Sequence, residues 1–407
     1  MYATLVSRSA LVVLTMTIVA ASTAAAQGGR AASPVGTWAV LGPLPDGLDS
    51  ARLEVIGPPE DRWGRLTFFG RERREMPLVE VRPAGRGFAA LLRSPVPSAI
   101  DTLYFGEDGA GALATFDRRT PLRIERRSAR PSAELAALAG VELVGPGVIS
   151  TARGEGFGSF TPDGREFYFA RHTPNWGRHT IMVSRLAGGR WTEPEPAPFS
   201  GTGSSDREPF VTADGRRLLF GSNRPHPDKT DRASYDLWVV ERRPDGSWGA
   251  PERLPAPIST EASELHPVLT ASGALYFSSN RPGGLGLNDV WRSRWENGRW
   301  SEPENLGPAV NSPQAESNAY VTPDERAIVI VSDSRPGGLG GDDLWLSVRG
   351  ADGRWTPARH LPAPVNSFEY EYGPTVSPDG RWLYFTSHRR GTADIYRVPV
   401  SALGIGR

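Results

Sequence analysis

Residues Glu264 to Leu306 read ELHPVLTASGALYFSSNRPGGLGLNDVWRSRWENGRWSEPENL, and the stretches on both sides follow the same plan. An apolar strand leads into a tight turn at Ala271-Ser272-Gly273, and a second strand ends at Phe277. A polar, Gly-rich loop then leads to Asp289-Val290-Trp291, and a last turn at Gly298-Arg299-Trp300 opens a fourth strand. A repeat of this length decides the architecture before any single motif is weighed.

Five copies are found in the last two-thirds of the chain. Their first turns are Pro162-Asp163-Gly164, Ala213-Asp214-Gly215, Ala271-Ser272-Gly273, Pro323-Asp324-Glu325 and Pro378-Asp379-Gly380, spaced 51, 58, 52 and 55 residues apart. Asp-Gly is a strong hairpin signal because glycine supplies the positive φ that the turn requires. The second strands end at Phe169, Phe220, Phe277, Val331 and Phe385. The third carry Asp236-Leu237-Trp238, Asp289-Val290-Trp291, Asp343-Leu344-Trp345 and Asp394-Ile395-Tyr396. Fourth strands start at Gly189-Arg190-Trp191, Gly246-Ser247-Trp248, Gly298-Arg299-Trp300 and Gly353-Arg354-Trp355. Four strands per period describe a propeller blade.

On these residues, 141–407 resemble the TolB-like propeller with WD-like repeats of the pattern P-D-G…L-Y-F-x-S-N-R…D-I-W. The first copy departs from it, with Thr180 in place of the aspartate. The resemblance implies an all-β, five-bladed β-propeller of a type that mostly binds partners or caps enzymes. The last copy has no room for a fourth strand, and Leu143 to Thr151 (LVGPGVIST) reads like the fourth-strand ends elsewhere. A strand within 141–150 is therefore expected to close the ring. Six blades is the alternative, with the preceding region donating a degenerate one.

Ahead of the repeats, residues 27–128 hold eight short β-type runs separated by Gly, Pro and Asp, which predicts a small antiparallel barrel or meander. Gly36-Thr37-Trp38 and the closing basic strand near Arg126 resemble a lipocalin-like barrel. Such a barrel is expected to be filled by its own side chains, a ligand cavity lined from Trp38 and Phe68 being the other reading. Ser132 to Gly140 has a helix cap at each end, so 129–140 is expected to be a linker helix. Residues 1–26 read as a signal peptide: Arg8, an apolar run from Ala10 to Ala21, and a small-residue cleavage site near Ala26. That run is short for a membrane span. A periplasmic or secreted protein follows, with no membrane span after cleavage.

Composition narrows the chemistry. Forty-six basic and 46 acidic residues cancel, so nothing in the charge favours nucleic acid. Cysteine is absent, which removes disulfides, thiol nucleophiles and thiolate metal sites together. No G-x-S-x-G, H-E-x-x-H or S-x-x-K motif is present.

Six residues before the Thr or Ser that ends each inner strand stands an acid: Glu155, Asp206, Glu264, Glu316 and Glu371. Four residues after four of the second-strand ends stands an arginine: Arg224, Arg281, Arg335 and Arg389, with Arg171 displaced by two in the first copy. One reading is a ring of carboxylates at a channel mouth, able to hold a cation or a basic partner. The other is an acid–arginine pair in every blade, preferred because a site departs from the symmetry of its scaffold. Asp236, Asp289, Asp343 and Asp394 follow the polar loops and are expected to accept loop N–H bonds. His172, Trp176 and His179 share the irregular loop of the first copy and are the candidates for individual recognition.

The expectation is an exported, non-catalytic propeller binding a protein, a peptide or a cell-envelope glycan. No cofactor is expected, a channel cation remaining open. The alternative is a glycoside hydrolase of sialidase type using acids such as Glu155, Glu264 and Glu371, which would require carboxyl groups about 5–9.5 Å apart.

Overall fold

The computed structural model describes residues 35–41, 48–56, 63–70, 74–84, 87–93, 100–105, 110–114, 119–128, 140–173, 177–201, 203–227 and 234–403. Eight antiparallel strands come first: β1 (Gly36–Leu41), β2 (Leu48–Ile56), β3 (Trp63–Gly70), β4 (Arg74–Ala84), β5 (Gly87–Arg93), β6 (Ile100–Phe105), β7 (Ala110–Ala114) and β8 (Arg119–Ser128). Each pairs with the next, and β1 pairs with β8 to close a barrel. Alternation sends Trp38, Leu53, Val55, Leu66, Leu78, Leu92, Phe105 and Ile124 into one core. Trp38 meets Phe105 edge-on at 5.2 Å within this core. The side chain of Phe68, and the linker-helix residues 129–139, lie outside the described residues.

The remaining sheets are five blades around a channel. Their innermost strands are Glu155–Phe160, Asp206–Val211, Glu264–Leu269, Ala315–Val321 and Glu371–Val376. The fifth blade takes its outermost strand from the start of the domain: β9 (Glu142–Leu143) pairs with the third strand, Asp394–Pro399, through Leu143 and Tyr396. Five blades are present, not six.

The turns explain the register. In blade 1 the Thr161 hydroxyl donates to Asp163 (2.6 Å), the Gly164 N–H donates to the Thr161 carbonyl (2.8 Å), and Gly164 has φ 67°. Ser or Thr followed two residues later by Asp repeats this bond at Thr212–Asp214, Thr322–Asp324 and Ser377–Asp379. The fourth strands are broken. In blade 3, Trp300 pairs with Trp295 at the end of the third strand, and Asn305 then pairs with Trp291. Of the four outer tryptophans, Trp248 is buried, whereas Trp191, Trp300 and Trp355 are only partly covered.

Two faces result. Inner strands begin on one face, which also carries the connections from second to third strand and from blade to blade; we call it the loop face. The opposite, turn face carries the Asp-Gly turns. The barrel meets the loop face at blade 5: Trp63 and Ile56 pack with Ala363, Arg390 lies over Trp63 at 5.3 Å, and Arg65 over Phe368 at 6.0 Å.

Candidate functional site

The five aligned acids are not an open ring. Glu155, Glu264, Glu316 and Glu371 are wholly buried and Asp206 is 1% exposed. Each is paired inside its own blade: Glu155–Arg171 at 2.8 Å, Asp206–Arg224 at 2.8 Å, Glu264–Arg281 at 3.2 Å, Glu316–Arg335 at 3.8 Å and Glu371–Arg389 at 3.5 Å. A Ser or Thr of the preceding connection donates to each carboxylate: Thr151, Ser200, Thr260, Ser312 and Ser367. In four blades the serine ending the second strand adds a bond: Ser222, Ser279, Ser332 and Ser387. In blade 1, Arg171 itself stands opposite Glu155 in the ladder, the place those serines occupy. This accounts for its displacement in sequence.

The arginines complete a joint between blades. Arg281 donates to the Pro257 and Ile258 carbonyls and lies over Phe277 and Trp291; Arg389 does the same with Pro364, Val365, Phe385 and Tyr396. Burial works against the charge on both members. It raises the pKa of Glu155 and Glu371 despite their hydrogen bonds, and lowers that of Arg281 and Arg389 despite their partners. The acids thus pair with arginines of their own blades, and their lone pairs are taken up by the fold rather than presented at a channel mouth.

The loop aspartates divide. Asp289 accepts from the Leu285 and Gly286 N–H groups, and Asp343 from Leu339 (2.6 Å) and Gly340 (3.2 Å). These loops need their glycines: a Cβ on Gly284 would lie 2.3 Å from the Asp289 carboxylate, and one on Gly286 1.9 Å from the Gln314 carbonyl. Asp236 is instead held by Arg253 at 3.0 Å, and Asp394 accepts from Thr392 at 2.6 Å.

Two residues beyond each acid the symmetry breaks. Phe157, Glu208, His266, Asn318 and Gly373 all have φ between 49° and 60°, and a register shift follows in every inner strand. This β-bulge aims four different side chains, and the bare backbone of Gly373, at the channel. With the residues that follow them they line a cavity of about 40 Å³, room for a few waters and none for a sugar ring. Two of the five tie blades together: Glu208 accepts the His266 N–H at 2.9 Å, and Asn318 accepts the Gly373 N–H at 3.2 Å.

Around Glu208 the loop-face mouth gathers titratable and aromatic groups. Arg207 pairs with Glu208 at 2.5 Å and lies over Phe157 (5.2 Å) and Tyr235 (5.7 Å). The His266 Nε2 is 2.8 Å from Glu208, off the line of a good hydrogen bond. Burial alone would raise the Glu208 carboxyl; Arg207 and His266 outweigh it and hold it at about 2. Phe157 also meets Tyr372 (5.0 Å), His266 (5.8 Å) and His179 (6.5 Å), and His179 meets His172 at 5.6 Å. Burial, then the Arg207 charge, pushes His179 down to about 3. Asp342 faces Asp333 across the blade 4 ladder, and burial with that neighbour raises it to about 6.

The structure therefore brings His172 and His179 to the mouth; Trp176 lies outside the described residues. Sequence reasoning missed Phe157, Arg207, Glu208, His266, Asn318, Tyr372 and Asp342. The signal was available: counting two residues on from each aligned acid gives Phe, Glu, His, Asn and Gly. Among the described residues no cluster of three or more His, Asp or Glu is arranged to hold a metal, and no helix is long and apolar enough to cross a membrane.

No family model and no curated protein matches this chain. Solved structures do. A TolB from Acinetobacter baumannii is 13% identical, over 85% of this chain and 78% of that one, with a TM-score of 0.39. A TolB-type chain from Agrobacterium tumefaciens is 15% identical, over 59% and 72%, with a TM-score of 0.38. A glycoside hydrolase is 9% identical, over 64% and 90%, with a TM-score of 0.46. At these identities the likeness is one of fold alone.

Proposed function

We propose that this chain is an exported, non-catalytic propeller that recognises a protein or peptide at the loop-face mouth of its channel, in the periplasm or outside the cell. The observation that carries this reading is where the five-fold repetition fails. The fold's joints repeat in every blade, whereas Phe157, His172, His179, Arg207, Tyr235 and Tyr372 occur once each, around one opening. The same face exposes Leu285, Leu287, Leu339, Phe368 and Tyr370 on its connections. Apolar side chains held in water on a rim of polar loops mark a contact surface, and recognition belongs on loops positioned by a rigid scaffold.

The hydrolase reading needs a second accessible carboxyl group besides one that stays ionised. Glu208 stays ionised, and Asp342, raised to about 6, is the acid outside the five acid–arginine pairs that is tuned in the other direction among the described residues. That difference is the specific observation in its favour. Two measurements separate the readings. A photo-crosslinking side chain at Tyr370 should capture a discrete partner in the cell envelope, while the same group at Asp163 on the turn face should not. Equal capture from both faces, or none from either, would sink the binding reading. A screen of aryl glycosides should show no turnover; turnover abolished by Glu208→Gln and by Asp342→Asn would replace it with hydrolysis.

A further inference from the structure

A second departure from symmetry lies on the opposite face. In each of blades 2 to 4 the outer tryptophan stands opposite one residue at the end of the third strand. In blade 2 that residue is Arg242, lying over Trp248 at 4.9 Å and bonded to the Gly246 carbonyl. In blade 4 it is Arg349, over Trp355 at 4.5 Å and bonded to the Glu325 and Gly353 carbonyls. In blade 3 the same position holds Trp295, opposite Trp300. The two indoles meet edge to face, with centroids 5.2 Å apart, and Trp295 is 54% exposed, the most exposed aromatic side chain among the described residues. Nothing in the blade requires it: the arginines of the neighbouring blades cover their tryptophans without placing an indole in water.

Trp295 and Trp300 line a groove of 660 Å³ that runs against blade 2. That volume is within the range of small-ligand sites, about 300–1,000 Å³. Val239, Leu254 and Leu269 also contribute to its lining, together with Arg217 and Glu252. Among the described residues neither the Arg217 guanidinium nor the Glu252 carboxylate makes a hydrogen bond or ion pair with another side chain. The groove between blades 5 and 1 is of similar size, 670 Å³, but its arginines are already engaged: Arg397 lies over Trp382 at 4.2 Å and pairs with Glu142 at 2.6 Å, and Arg381 pairs with Asp379 at 2.6 Å.

We propose that the groove between blades 2 and 3 on the turn face binds a saccharide, with a pyranose ring on the Trp295–Trp300 pair and its hydroxyls on Glu252 and Arg217. An indole face carries negative charge and its edge positive charge, and a pyranose offers a face of weakly positive C–H groups to the first. Its equatorial hydroxyls both donate and accept, which suits a carboxylate beside a guanidinium. An apolar peptide in the same place would strip water from both charges and return nothing. The site is remote from the loop-face mouth, so it stands or falls separately from the partner reading above.

The test is titration of the full chain with β-1,4-linked hexamers of glucose and of N-acetylglucosamine, followed by indole fluorescence and calorimetry. At least one hexamer should bind, Trp295→Ala should weaken it about tenfold or more, and Glu252→Gln severalfold. Leu186→Ala, the exposed turn-face residue of blade 1, should bind as the wild type does. Thermal melting of Trp295→Ala with the wild type shows that the variant is folded. The proposal is overturned if neither hexamer binds, if Trp295→Ala binds undiminished, or if an apolar peptide binds the groove in preference to both sugars.

Discussion

Two positions on each inner strand, only two residues apart, obey opposite rules. At the first, an acid occurs in all five blades with the same kind of partners: a hydroxyl from the preceding connection and an arginine held over an aromatic ring. At the third, the backbone is the same in all five, with φ near 55°, and the side chain never repeats. The first position answers a demand common to every blade, since each must be fastened to the one before it. The third answers to the channel, which is shared, so each blade can contribute something different. Where backbone repeats and side chain does not, the fold has fixed a direction and left the chemistry free.

Breaking the first position should hurt most. Arg281→Ala leaves Glu264 buried without its counter-charge and should cost about 3–5 kcal/mol, read as a large fall in thermal midpoint. An unchanged midpoint would mean that the pair is not what fastens the blade. The mouth should show a smaller, pH-dependent effect. His179 titrates at about 3 when folded, below its ordinary 6.5, so the unfolded chain takes up the proton first. Stability is then complete above pH 6.5 and declines as pH falls from 6.5 toward 3. Between pH 7.5 and 5 the loss is about 2 kcal/mol, and His179→Gln should remove that part of the slope in urea titrations at the two pH values. A slope shared by wild type and variant would assign it elsewhere. The third position should be the most forgiving. Asn318→Gly relieves a left-handed conformation, worth about 1–2 kcal/mol, and gives up the bond to the Gly373 N–H, worth about 1 kcal/mol. Stability should change by about 1 kcal/mol or less; a change as large as that of Arg281→Ala would erase the distinction between the two positions.

Much of this was legible in the sequence because repetition is a pattern of spacing. The turns Asp163-Gly164 to Asp379-Gly380 and the tryptophans that follow the second turns give the blades directly, and the eight runs before Arg127 give the barrel strands. The acid and arginine alignment also reads from spacing, but not its meaning: the same count fits an open ring of carboxylates and a set of buried pairs. Burial decides between them, and burial depends on neighbours from another blade. The mouth was harder, since His172 and His179 stood out as an irregular loop while Arg207, Glu208 and His266 sat inside ordinary strands. The count from the aligned acids picks out Glu208 and His266, but it is the bulge that turns them toward the channel, and spacing alone does not show that turn. Trp295 was hidden for the reverse reason. It lies in a tryptophan-rich stretch, Trp291 to Trp300, where one more indole reads as core.

The closing of blade 5 has a bearing on how the molecule is made. The Ser150 hydroxyl bonds the Ile395 carbonyl 245 positions away, and Leu143 pairs with Tyr396. Joining ends so far apart costs roughly 5 kcal/mol in chain entropy, from 1.5RT ln n. The joint cannot form until the last blade has emerged. As the chain folds, the first four blades can add one to another, each on a finished neighbour, while the two free edges stay unsealed. Assembly is therefore sequential along most of the chain and all-or-none at the end, and the latch is the last piece in place.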